Sequence, residues 1–156
     1  MSDKKVTRLA DLGASDYSAS RPRLAYDTLE DAFPNVDPGH RAFGERVLVQ
    51  LKTASSKTKG GIELVKETTD TESDNCQVAR VVDIGAVAFK NRETLVPWPE
   101  GAWVTAGMYV RVPKYGGDRF YVPIPGKNEK AVFVFFRDGD MIGEVTGDPL
   151  SVVAYI

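Results

Sequence analysis

From Glu45 onward the chain is a succession of short apolar runs separated by Gly, Pro, Asn and Asp. The runs are rich in Val, Phe, Tyr and Ile, and their lengths suit strands rather than helices. They predict strands over 46–51, 77–84, 102–105, 108–113, 119–123, 131–136 and 140–145, with a further candidate at 151–156. Many short strands with Gly and Pro turns fold as a small barrel or sandwich. A length of 156 residues allows one domain with a real core and not two comfortable ones. The chain is therefore read as all-β, with residues 45–156 as a β-barrel domain and residues 1–44 as an N-terminal arm.

The arm has a different character. Ser15 to Ser20 is small and polar, and Pro22 to Phe33 reads as a short helix. Ser20 is its candidate cap, Pro22 suits the first turn, and Pro34 and Pro38 stop it. Leu24, Leu29, Ala32 and Phe33 share one face, so two readings stand: an arm that packs loosely on the domain or on a neighbour by that face, or a mostly disordered leader.

The strand Arg46 to Leu51 runs directly into a long polar connection, Lys52 to Asn75. Connections this long within a compact domain are commonly functional or disordered. This one contains Gly60 and Gly61, followed by Ile62, Glu63 and Leu64. In an extended chain Ile62 and Leu64 point to one side and Glu63 to the other. Two readings stand: a docking segment that orders on a partner, or a hairpin loop whose aliphatic pair folds back on its own core. A second interruption, Gly85 to Gly107, carries the charged turn Lys90-Asn91-Arg92-Glu93 and the proline-flanked Trp98. It reads as an excursion from the barrel, with Trp98 either a binding residue or a cover for an apolar patch.

No catalytic constellation emerges. His40 is the only histidine and lies in the turn Pro38-Gly39-His40. Cys76 is the only cysteine; with one histidine it cannot furnish a zinc site, and its neighbours Asp74 and Asn75 do not activate a thiolate. It reads as an inert thiol at a strand start, in a chain suited to a reducing compartment. There is no phosphate-cradling glycine motif. The acidic run Asp70, Glu72, Asp74 lacks the glycine and the distant glutamate of a calcium loop. Arg137-Asp138-Gly139-Asp140 reads as a tight turn needing positive φ at its glycine. A net charge of −2 and a pI near 5.5 show no footprint for nucleic acid or an anionic membrane surface. No apolar run approaches a membrane span, and none follows the first residues as a signal sequence would require. Neither cofactor nor metal is expected.

Several separated segments, in order, resemble the GroES-type co-chaperonins. Glu45-Arg46-Val47-Leu48-Val49 followed by Thr58-Lys59-Gly60-Gly61-Ile62-Glu63-Leu64 resembles that family's first strand and mobile loop. Val81-Val82-Asp83-Ile84-Gly85 resembles its second strand. Pro113-Lys114-Tyr115-Gly116-Gly117 resembles its P-x-Y-G-G turn, and Phe135 to Gly143 its F-R-D-G-D segment. The resemblance covers roughly residues 44–146. Glu63 departs from the apolar or small residue usual between the two loop aliphatics, and Met108 stands where the family has Asp after Gly107. Both termini extend past the family's usual limits, as in a viral version or a paralogue.

The resemblance implies a small irregular GroES-like β-barrel with a mobile loop and a roof-like hairpin. It implies a homo-oligomeric ring, expected to be a heptamer, that caps a GroEL-type chaperonin in its nucleotide-bound state and closes a chamber around client proteins. Ile62 and Leu64 would enter an apolar groove on the partner, Gly60 and Gly61 would permit the turn presenting them, and Lys90 to Glu93 would line the ring opening. No catalysis is implied for this chain, whose expected place is the cytoplasm (the host's, for a viral source). The alternative is a structural β-protein of a virion or assembly, using its terminal arms for lattice contacts. The GroES-like domain of zinc alcohol dehydrogenases is disfavoured, because the zinc ligands and a following Rossmann domain are missing.

Overall fold

The computed structural model describes residues 28–53 and 76–151. One short helix, α1 (Leu29–Ala32), precedes six strands: β1 (Arg46–Leu51), β2 (Val78–Ile84), β3 (Tyr109–Arg111), β4 (Asp118–Pro123), β5 (Lys130–Arg137) and β6 (Gly143–Glu144). They form one antiparallel sheet in the order β4-β5-β1-β2-β3-β6. With one helix and isolated 3-10 turns among the described residues, this is the small GroES-like β-barrel fold.

β1 and β5 are buried on both faces, so their sequences read as near-continuous apolar runs. Val47, Val49 and Leu51 join Val132, Val134 and Phe136 in the main core. Leu48 and Phe133 face the other way, into a second cluster with Ala42 and Ile124. That outer face is covered by the chain leading into β1. Gln50, fully buried, donates from Nε2 to Pro34 O at 2.8 Å and accepts from Arg80 at 2.7 Å. Ala42 N–H donates to Asp83 Oδ2 at 2.7 Å. Residues 34–42 thus hold to the sheet through buried polar bonds, which are expensive to leave unmade.

Several expectations change at this level. Thr28 is extended (φ −144°, ψ 170°) and caps α1 by accepting from Asp31 N–H, so no continuous helix runs over 22–33; residues 22–27 lie outside the described residues. Ala32 and Phe33 are fully buried in the main core rather than loosely packed. Residues 102–105 form no strand, although Val104 is buried. Over 140–145 only Gly143–Glu144 is strand, because acidic side chains capture the preceding backbone. Asp138 Oδ1 accepts from Gly139 N–H and Asp140 Oδ2 from Arg137 N–H, giving a 3-10 turn over Asp138–Asp140. Gly139 needs no positive φ there. β1 lies between β5 and β2, with both of its edges paired within the sheet. The strand candidate at 151–156 falls beyond the described residues, except Ser151 in the 3-10 turn Pro149–Ser151.

Two glycines hold the close approaches. A Cβ on Gly85, at the end of β2, would fall on the backbone of Gly44 and Phe43. Gly117 combines φ +74° with a position where a Cβ would overlap Val134 Cγ1.

Candidate functional site

The Gly60-Gly61-Ile62-Glu63-Leu64 segment and the acidic run at 70–74 lie outside the described residues. The roots of their connection do not. Lys52 and Thr53 are buried, not part of a solvated tether. Lys52 N–H donates to Val78 O at 3.1 Å, extending the β1–β2 ladder, and Thr53 N–H donates to Ala32 O at 2.7 Å. At the far root, Cys76 is buried just before β2, with its thiol 3.3 Å from Val78 O, as expected of an inert cysteine. The connection therefore leaves and re-enters the barrel at adjacent positions on neighbouring strands.

The excursion between β2 and β3 is a folded structure. Lys90 and Pro97 form an isolated antiparallel bridge. Asn91 N–H donates to Val96 O and Leu95 N–H to Asn91 O, each at 2.8 Å. Asn91 Oδ1 accepts from Glu93 N–H at 2.8 Å and Thr94 N–H at 3.0 Å. Asparagine can hold its own turn this way because its side chain mimics a backbone carbonyl. At the tip, Leu95 (φ +62°) and Val96 are solvent-exposed. Lys90 is half-buried and Glu93 exposed.

Arg92 turns back to the barrel. Its Nε donates to Glu45 Oε1 and one terminal nitrogen to Asp138 Oδ2, both at 2.5 Å; the other reaches Val87 O and Lys90 O. Glu45 also accepts from Arg137 Nε at 2.5 Å. Asp138, nearly fully buried, accepts in addition from Phe89 N–H at 2.9 Å. The hydrogen bond from Arg137, then that from Arg92, holds the Glu45 carboxyl below its ordinary value. Asp138 and then Glu45 raise Arg92, and Glu45 raises Arg137. Glu45 and Asp138 were not among the candidate residues of the sequence; a lone acid before a strand carries no local signal of a partner 47 positions on. Trp98 covers an apolar patch, edge-on to Phe89 at 5.6 Å and beside Trp103 at 5.0 Å.

Beside β6, whose second edge is unpaired among the described residues, lies an open cleft of about 480 Å³ lined by Trp103, Val104, Met141 and Ile142, with Glu100 and Glu144 at its rim. No group of three or more potential metal ligands occurs among the described residues. His40 bonds Pro38 O through its Nδ1 and lies over Phe120.

The family model of the chaperonin 10 Kd subunit matches residues 40–144, more than half the chain and every strand of the sheet. The chain belongs to the chaperonin 10 family. Members are co-chaperonins and not enzymes; they oligomerise and partner GroEL-type chaperonins. No curated protein matches the chain in sequence. The match begins after α1 and ends before the Pro149–Ser151 turn, so both lie outside the matched region.

Proposed function

We propose that this co-chaperonin assembles into a ring, a heptamer in the simplest family-like case, which caps the nucleotide-bound state of an ATP-driven chaperonin and closes a chamber around a folding client. The observation that carries the reading is the family match running through both roots of the 54–75 connection. Ile62 and Leu64 are the docking residues, and Gly60 and Gly61 allow the turn that presents them. Burying two aliphatic side chains is worth roughly 1.5–3 kcal/mol each. Ordering each backbone residue costs about 1–2 kcal/mol. One connection therefore binds weakly, and several on one ring bind well, since each later contact is intramolecular. Such binding is strong collectively and still reversible in every cycle. ATP hydrolysis belongs to the partner, in keeping with a sequence that lacks a phosphate-binding loop.

The ring is heterologous, built from an edge of one subunit and a different surface of the next. With β1 central, the edges open to such contacts among the described residues are those of β4 and β6. The 85–107 excursion forms the roof around the opening, and its Lys90–Glu93 turn sits at the rim. The site of action is the cytoplasm, the host's for a viral source. The family match lends nothing to a lattice protein of a virion.

Native mass spectrometry of the purified protein, alone and with a chaperonin plus nucleotide, tests the reading. A ring that associates only when nucleotide is present is expected. A monomer at micromolar concentration, or association indifferent to nucleotide, would overturn it.

A further inference from the structure

The short helix α1 and its C-cap Phe33 touch three separate parts of the barrel and the Pro149–Ser151 turn. Ala32 O accepts from Thr53 N–H at 2.7 Å. Phe33 meets Tyr109 of β3 edge-on, with ring centroids 5.1 Å apart. Asp31 pairs at 3.5 Å with Lys127, in the turn between β4 and β5. The Pro149–Ser151 turn packs against the helix, with Leu29 and Leu150 both set on the main core. All of this lies on segments outside the 40–144 match, apart from the barrel surfaces they meet.

Thr53 is where these segments matter. Lys52 still follows the β1–β2 ladder, but Thr53 leaves it and bonds to α1 instead. Only about 5% of Thr53 is exposed. Its amide has its partner in α1, at the last described residue before the 54–75 connection.

We propose that α1 and the Pro149–Ser151 turn form a brace at the root of that connection, fixing the course on which the chain leaves Thr53 and so strengthening docking on the chaperonin. The effect on affinity rests on the docking reading above; the brace itself does not. A root already ordered in the free protein need not be ordered on binding, which removes part of the entropic cost. The gain is repeated at every subunit of a ring.

The test uses the full chain with Leu29→Asp, which puts a charge on the apolar side of α1, and Leu29→Met as the conservative control. Native-state amide exchange is read at Thr53 and at Val49 in the middle of β1, and docking is titrated against chaperonin plus nucleotide. Leu29→Asp should speed exchange at Thr53 at least tenfold with Val49 unchanged, and weaken docking at least tenfold; Leu29→Met should leave both near wild type. Should Val49 lose protection as well, the fold has gone, and Thr28→Ala, which removes only the helix cap, decides by the same two readouts. Unchanged exchange at Thr53 overturns the brace. Released exchange with undiminished docking shows a purely structural role and overturns the effect on affinity. A wild-type protein that docks on no chaperonin sinks the docking reading and the affinity effect together, while exchange at Thr53 still decides the brace.

Discussion

Arg92 and Asp138 lie 46 positions apart, yet the guanidinium in the 90–93 turn meets the buried carboxylate just past β5 at 2.5 Å. The same carboxylate oxygen accepts from Phe89 N–H. Asp138 therefore pins both the start of the excursion and its charged turn to the barrel. Asp138→Ala should orphan the buried Phe89 amide, an effect worth about 1–3 kcal/mol by itself. Asp138→Asn keeps an acceptor there and should lose less. Urea midpoints of the two variants check the order, and equal midpoints would show that the amide bond is not what matters.

Glu45 makes this junction sensitive to acid. Its carboxyl is held below the ordinary value in the folded protein, chiefly by Arg137 and then by Arg92. In the unfolded chain it titrates at the ordinary value. The stabilisation is therefore complete above that unfolded value and is lost as pH falls through the lowered folded one. Glu45→Gln should be less stable than wild type at neutral pH and converge with it in acid. Denaturation profiles down to about pH 3 test this; curves that stay parallel throughout would exclude a role for Glu45 ionisation.

The buried amide of Gln50 joins β1 to the cover segment at Pro34 and to Arg80 on β2. Gln50→Leu keeps the volume nearly the same but leaves Pro34 O and the Arg80 guanidinium without this partner. A loss of about 1–3 kcal/mol is expected, with faster amide exchange at Ala42, which sits on the same cover. A neutral or stabilising substitution would mean that packing alone holds residues 34–42 in place.

β1 and β5 are legible in the sequence because near-continuous Val, Leu and Phe runs have few options other than a strand buried on both faces. The residues around Gly85 and Gly117 are legible as family motifs, and the close backbone contacts explain why glycine stands there. What is not legible depends on distant partners. Val104 is apolar enough for a strand but lies in the folded excursion, where no ladder reaches it. Residues 140–145 read as a strand, but Asp138 and Asp140 tie down a 3-10 turn that takes up the start of that run. The partnership of Glu45 with Arg92 and Arg137 joins three segments and leaves no periodic trace in any of them. Phe33 looks like the end of a loose arm because its core contact, Tyr109, is far along the chain.

The proposed docking residues Ile62 and Leu64 yield the prediction that most directly addresses function. With Ile62 and Leu64 on one side of an extended chain, Glu63 lies on the other. If the aliphatic pair enters an apolar groove, the carboxylate faces water or a basic group at the rim. A rim charge alters the on-rate and salt dependence more than the affinity of the buried contact. Pressed into the groove, the same carboxylate would cost several kcal/mol or take up a proton. Ile62→Ala and Leu64→Ala should therefore weaken chaperonin binding strongly, the loss being multiplied over the subunits of the proposed ring. Glu63→Ala should leave binding intact or improve it, with less dependence on salt. Titrating each variant ring against chaperonin plus nucleotide at low and high salt separates these outcomes. Loss of binding in Glu63→Ala, with Ile62→Ala and Leu64→Ala unaffected, would show that the opposite side of the segment makes the contact.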